Sequence, residues 1–382
     1  MISKLNIIEL SDVHLGHRTT ETEHIIENLL LLLPDVPSMS EVDMIIIAGD
    51  LFDRLLNLSA YDVYVIHKWI YGLLSLCKKH DIVLRVLEGT PGHDNGQNLL
   101  IPEINEQSGI GCDVVYFNTL DIEFIPKFDI HVLYIPDEYH PEAAQTLAEV
   151  RLLMAERNLA KVDFAVMHGQ FDYQIPPNLL NRIPHHDSKA YLELVKYIIF
   201  IGHIHQHSQY ERILVAGSTD RLQHGEEEDK GIIKATVYEN GDFEAEFVVN
   251  KGAKQYRTLD VSSQELSQAL DYIKSIVEYV PDGSYLRIRA NQDDSIVNSL
   301  RELRTTYPQI TWTVQTEKAV SSKLDKPVRP EVIMDNLHRN TIPTLMEKRV
   351  SGKYDNATTS EIVETLKGII NETSDNTATP AK

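Results

Sequence analysis

Leu5-Asn6-Ile7-Ile8-Glu9-Leu10-Ser11-Asp12-Val13-His14 and Met44-Ile45-Ile46-Ile47-Ala48-Gly49-Asp50-Leu51-Phe52-Asp53 follow one pattern: an apolar, β-branched run that stops at carboxylates and imidazole. Three more runs repeat it. Residues 82–87 lead to Gly92-His93-Asp94, residues 163–167 to His168-Gly169, and residues 197–201 to Gly202-His203-Ile204-His205. Runs of this length and composition predict buried strands. Helix-like stretches at 24–33, 61–79, 141–158 and 188–195 separate several of them, so the pattern is α/β with a helix-covered sheet. In open α/β sheets the carboxyl ends of the strands form the crest where ligands bind, and the five loops are expected to converge there.

Further strands are predicted at 212–216, 232–238 and 243–249, with Asn240-Gly241 as a hairpin turn. A parallel-rich sheet followed by antiparallel strands suits a two-sheet sandwich flanked by helices, closing a first domain over 1–256. From residue 257 to 318 the pattern becomes strand, helix, strand, helix, strand, a small α+β unit. Ser262 and Glu265 are expected to form a capping box at its first helix, and Asp293 or Asp294 to cap the second. Residues 319–371 read as a helical tail, and 372–382 as a polar, disordered end.

With 382 residues the chain exceeds the roughly 250–300 at which single cores stop growing. Hydrophobic residues at 42% and charged ones at 24% are those of an ordinary globular protein. No run reaches the ~20 apolar residues of a membrane span, so neither a signal peptide nor an anchor is expected. The two cysteines, Cys77 and Cys112, are far apart, which excludes a close-spaced zinc motif and fits a reducing cytoplasm. A net charge of −21 excludes nucleic-acid capture by a general basic surface. Metal ions, a local basic patch or a partner must hold such a substrate.

The five strand ends resemble the calcineurin-like metallophosphoesterase signature D-x-H, G-D-x-x-D, G-N-H-[DE], H and G-H-x-H, over residues 5–207. The resemblance implies a metallophosphoesterase sandwich holding two divalent ions, Mn²⁺ first, with Mg²⁺, Fe²⁺ and Zn²⁺ compatible with the same donors. Asp12, His14, Asp50 and His205 would hold one ion, and Asp50, His168 and His203 the other. His93 would be the catalytic histidine that is not a ligand, with Asp94 orienting its ring and Asp53 supporting His93 or the substrate. One departure stands out: Gly92 precedes His93 where the pattern has the asparagine ligand. Water, a backbone carbonyl or Asn95 would then fill the gap, and the second site is expected to be the weaker. His185-His186-Asp187 reads as a surface loop whose Asp187 or Ser188 caps a helix.

The segments 216–221 and 225–231 are similar to those after G-H-x-H in the SbcD family of DNA repair nucleases, where they lead into strands of the second sheet. That resemblance extends to the α+β unit as a DNA-capping domain, with Arg287, Arg289, Arg301 and Arg304 as phosphate contacts. It implies a DNA exonuclease or endonuclease subunit using a metal-bridging hydroxide, homodimeric within a complex with an SbcC-like ATPase. The Gly-Thr-Pro-x-His-Asp form suggests a divergent, phage-encoded member working in the bacterial cytoplasm. In the tail, Thr358 and Glu361 form a capping box, and Ile362, Val363, Leu366, Ile369 and Ile370 line one face for docking on the ATPase. A small-molecule phosphodiesterase or phosphomonoesterase, or an architectural subunit with a weakened site, are the alternatives.

Overall fold

A computed structural model of the chain describes residues 4–57, 61–137, 140 and 142–317. Everything read above for residues 319–382, including the apolar face from Ile362 to Ile370, lies outside them. The strands are β1 (Lys4–Leu10), β2 (Met44–Ala48), β3 (Val83–Leu87), β4 (Val114–Phe117), β5 (Asp121–Ile125), β6 (Ile130–Ile135), β7 (Phe164–His168), β8 (Ile199–Gly202), β9 (Ser208–Tyr210), β10 (Ile213–Val215), β11 (Gly231–Tyr238), β12 (Phe243–Val249), β13 (Tyr256–Asp260), β14 (Tyr285–Asn291) and β15 (Thr311–Glu317). The helices are α1 (Thr22–Leu32), α2 (Tyr61–His80), α3 (Pro91–Asp94), α4 (Leu100–Ser108), α5 (Ala143–Glu156), α6 (Ser188–Leu194), α7 (Leu266–Val277) and α8 (Leu300–Thr306).

Two six-stranded sheets stack face to face, one in the order β12-β11-β1-β2-β3-β4 and the other β5-β6-β7-β8-β10-β9. The period of two along each strand explains the layering. In β2, Ile46 and Ala48 pack between the sheets against Tyr134, Val166 and Phe200, while Ile45 and Ile47 pack under helices α1 and α2. In β7 and β8, Ala165, Met167, Ile199 and Ile201 face α5 and α6. Central strands are therefore apolar on both faces, which is why they read as unbroken runs. Full burial of each such side chain contributes roughly 1.5–3 kcal/mol.

The two-sheet sandwich flanked by helices is as expected, but the strands are shared out differently. β11 pairs antiparallel with β1 and carries β12 outside it, so the turn segments at 216–231 lead into the first sheet rather than the second. The second sheet instead takes β7 and β8, and with them two of the five motif-bearing strand ends. Residues 240–241 do turn, with Gly241 at φ 93°.

A third sheet, β13-β14-β15, is parallel throughout and buries Leu286, Ile288 and Trp312 against α7 and α8. The expected capping box is absent: α7 begins after Glu265, which makes no side-chain cap bond, and Ser262 N–H donates instead to Asp260. Asp294 likewise makes no helix cap, because its carboxylate accepts from Asn291 N–H and Ser263 N–H. Among the described residues no helix is long and apolar enough to cross a membrane.

Candidate metal centre

The carboxyl ends of β1, β2, β3, β7 and β8 meet at one edge of the sandwich. Asp12 and His14 follow β1, Asp50 and Asp53 follow β2, His93 and Asp94 lie in α3 after β3, His168 ends β7, and His203 and His205 follow β8. Four of these positions are bent into positive φ: Asp12 at 50°, His14 at 56°, Asp50 at 51° and His203 at 103°. Such a conformation costs a non-glycine residue about 1–2 kcal/mol, and its concentration at one site marks geometry held for function. Gly49, at φ 85°, permits a close approach, since any Cβ there would collide with the His168 ring and with Gly89.

Three groups of donors could each hold a cation: Asp12, His14 and His205; His14, Asp50 and His93; and Asp50, His168 and His203. Asp50 belongs to two of them. Its Oδ2 lies 3.3 Å from His168 Nε2, 3.6 Å from His93 Nδ1 and 3.9 Å from His14 Nε2. Burial opposes its ionisation, yet the facing His168, His14 and His93 rings hold its carboxyl well below the usual range. Asp12 adds a backbone contact, accepting His203 N–H at 3.0 Å on each oxygen.

Ring orientation supports a metal fit. His168 Nδ1–H donates to the Ala48 carbonyl at 2.8 Å, and His205 Nδ1 pairs with Glu226 Oε1 at 3.0 Å. Each ring is thereby held by its outer nitrogen with Nε2 turned inward, the arrangement that prepares imidazole as a ligand. His14 Nε2 and His205 Nε2 then face each other at 3.2 Å, and with Asp12 they form a donor group that could share a cation. Without an ion, burial lowers the affinity of His168 for a proton, but Asp50 outweighs it and pushes the pKa up to about 10. A divalent ion would replace that proton. The donors are carboxylates and imidazoles without thiolates, a set suited to Mn²⁺, Fe²⁺ or Zn²⁺.

Two roles need correction. Asp94 does not orient His93: its buried carboxylate accepts backbone N–H groups of Gly89 at 2.7 Å, Phe52 at 2.9 Å and Asp50 at 3.1 Å. It ties the β3 loop to the β2 loop. Burial and then the Asp50 charge push its pKa up to about 7. Asp53 reaches His14 rather than His93, its Oδ1 lying 3.4 Å from His14 Nδ1. His93 Nδ1 itself lies 3.1 Å from His14 Nδ1.

Asn95 does not fill the gap at Gly92, because its side-chain amide donates to the Gly92 and His93 carbonyls. Asp187 caps α6, accepting Ala190 N–H at 3.0 Å, and His186 before it is half-buried. It lines a cleft of about 440 Å³ with Asp137, Gly169, Gln170, His185 and His203. Burial lowers the His186 pKa to about 4.

Sequence reading missed Thr90, Asp137, Glu226 and Lys230. Lys230 is fully buried and donates from Nζ to the His205 carbonyl at 2.9 Å and to Glu228 at 2.7 Å, with Glu226 at 3.3 Å. Asp137 follows β6, a strand buried at every position but His131; finding that strand would have placed a carboxylate at the same edge.

The four arginines fall into two sets. Arg287 and Arg289 alternate with buried residues of β14 and lie on the open sheet face, whereas Arg301 and Arg304 flank buried Leu303 in the helix layer behind it. Arg287 donates to Thr258 Oγ1, Arg289 pairs with Asp260 at 3.7 Å, and Arg304 donates to the Trp312 carbonyl.

A family model described as calcineurin-like phosphoesterase matches residues 5–207. Among solved structures, TT1561 of Thermus thermophilus is similar at 13% identity over 64% of this chain and 98% of its own, with a TM-score of 0.37. GAP50, the anchor in the inner membrane complex of Plasmodium, is similar at 12% identity over 77% of this chain and 99% of its own, with a TM-score of 0.41. No curated protein matches the sequence.

Proposed function

The chain belongs to the calcineurin-like phosphoesterase family, and we propose that within it the protein is a two-metal DNA nuclease subunit of the SbcD type. The observation that carries phosphodiester hydrolysis is Asp50, which stands between the Asp12, His14, His205 group and the His168, His203 pair. Two divalent ions held there, Mn²⁺ by preference, would supply an acidified water and charge neutralisation on the phosphate.

The chain's own residues do the rest. Asp12, His14, Asp50, His168, His203 and His205 would hold the ions. Glu226 and the Ala48 carbonyl fix the rings of His205 and His168, and Asp53 steadies His14. His93, part-exposed at the rim, is placed to give a proton to the departing alkoxide oxygen, a poor leaving group. Asp94 keeps the His93 loop against the Asp50 loop through its backbone bonds.

DNA as substrate is supported by the third sheet, which is fastened beside the site. Tyr285 Oη–H donates to the Thr19 carbonyl at 2.5 Å, and the Tyr256 hydroxyl lies 2.8 Å from that of Thr20. Its open face carries Arg287 and Arg289, a local basic pair in a chain of net charge −21. An SbcC-like ATPase docking on residues 319–371 completes the reading. The 440 Å³ cleft beside His203 favours a second reading, a small-molecule phosphodiesterase.

Cleavage of linear duplex DNA and of bis-p-nitrophenyl phosphate, each with Mn²⁺ and with EDTA, separates the two. Mn²⁺-dependent DNA degradation is expected, and hydrolysis of the small diester alone would overturn the nuclease reading. Copurification of an SbcC-like ATPase from the native host tests the partner.

A further inference from the structure

We propose that the second metal site is completed by the Thr90 hydroxyl and the Asp137 carboxylate, in place of an amide ligand. The inference rests on the two-metal reading above and concerns which residues close its second centre. Position 92 is not where the missing donor belongs. Gly92 is exposed, and a Cβ built there meets nothing within 4 Å.

The residue that does face the cluster stands two positions earlier, directly after Gly89. Thr90 N–H donates to Asp50 Oδ1 at 2.6 Å, which aims its side chain inward. Its Oγ1 lies 3.2 Å from Asp50 Oδ2, 3.2 Å from Asp137 Oδ2 and 3.5 Å from His168 Nε2. Asp137 Oδ2 is also 4.0 Å from His203 Nδ1. The oxygens of Thr90 and Asp137 thus lie beside the group formed by Asp50, His168 and His203.

The spacing of these donors also fits a coordination shell. Ions of this class bind oxygen and nitrogen at about 2.0–2.2 Å, so neighbouring donors of one shell stand roughly 3.0–3.5 Å apart. The three Thr90 distances fall in that interval. With Asp137 the site has two carboxylates, a hydroxyl and two imidazoles, a harder set that favours Mn²⁺ or Mg²⁺. Pro91 and Gly92 then open the helical turn that carries His93, directly after Thr90.

The test is metal binding by the full chain, read by elemental analysis, Mn²⁺ calorimetry and electron paramagnetic resonance, with circular dichroism as the folding control. The unmodified protein is expected to bind two Mn²⁺ ions and to give a spin-coupled signal. Asp137→Ala and Thr90→Val should each weaken one ion by about tenfold or more, leaving the signal of an isolated ion. Thr90→Ser should restore the pair, and Gly92→Asn should change neither affinity. Asp137→Asn, which keeps the side-chain volume, replaces Asp137→Ala if the alanine variant does not fold, and should weaken the same ion. Two ions at unchanged affinity in Asp137→Asn and Thr90→Val, or a tightened ion in Gly92→Asn, would overturn the inference alone. Fewer than two ions in the unmodified protein would overturn the two-metal reading with it.

Discussion

Glu226 Oε1 lies 3.0 Å from His205 Nδ1, and this pairing decides which nitrogen of His205 faces the metal cluster. Burial opposes ionisation of Glu226, but His205, the Lys230 charge and the Leu222 N–H together pull its pKa down to about 2. A folded-state pKa below the ordinary glutamate value means the stabilisation is complete above that value and disappears as pH falls toward about 2. Glu226→Gln should therefore be less stable than the parent at neutral pH, and the difference should shrink steadily below pH ~4.5. Urea unfolding across that range measures it. The variant should also bind the first metal about 10–100-fold more weakly. A stability difference independent of pH would show that the charge of Glu226 is not what matters.

Asp50 lies within reach of both histidine groups. Asp50→Asn keeps the volume and removes the charge, so both ions and all hydrolysis should be lost together, as read by elemental analysis and turnover. An Asp50→Asn protein that stays metal-bound and active would refute its place between the two ions.

His93 sits close enough to His14 and Asp50 to be counted among possible ligands, yet its ring is 38% exposed where those of His14 and His168 are buried. An exposed rim position suits proton transfer better than ligation. His93→Ala should retain both ions and DNA binding while kcat falls by about 10² or more. Loss of an ion in this variant would make His93 a ligand.

How much of this the sequence revealed follows from burial. β2, β7 and β8 could be read because both faces are covered and their residues are almost uniformly apolar. β4 and β5 carry half-exposed residues such as Val114 and an exposed Phe124, and without them β6 had no visible neighbour. Asp137, just past β6, was lost for that reason alone. Thr90 was lost differently. Matching residues counted back from His93 points to Gly92, whereas space is counted from the strand end, where Gly89 and Thr90 meet Asp50. Glu226 lay within a quoted segment, but its pairing with His205 spans 21 positions and depends on the tertiary fold.

The division of the arginines makes the last prediction. A strand turns alternate residues to one face, so Arg287 and Arg289 share the open side of β14, while burial of Leu303 puts Arg301 and Arg304 in the helix layer behind the sheet. One flat duplex cannot engage both layers at once. The open face is the one fastened to the loop at Thr19 and Thr20, so it should take the phosphates. Arg287→Ala should weaken DNA binding across all sequences and lower the salt slope by about 1. Arg289→Ala should do less, because Asp260 already offsets part of its charge. Arg301→Ala and Arg304→Ala should leave both quantities unchanged. Fluorescence anisotropy with duplex DNA at several salt concentrations reads both, and a larger loss from the helix pair than from the strand pair would move the DNA to the opposite face.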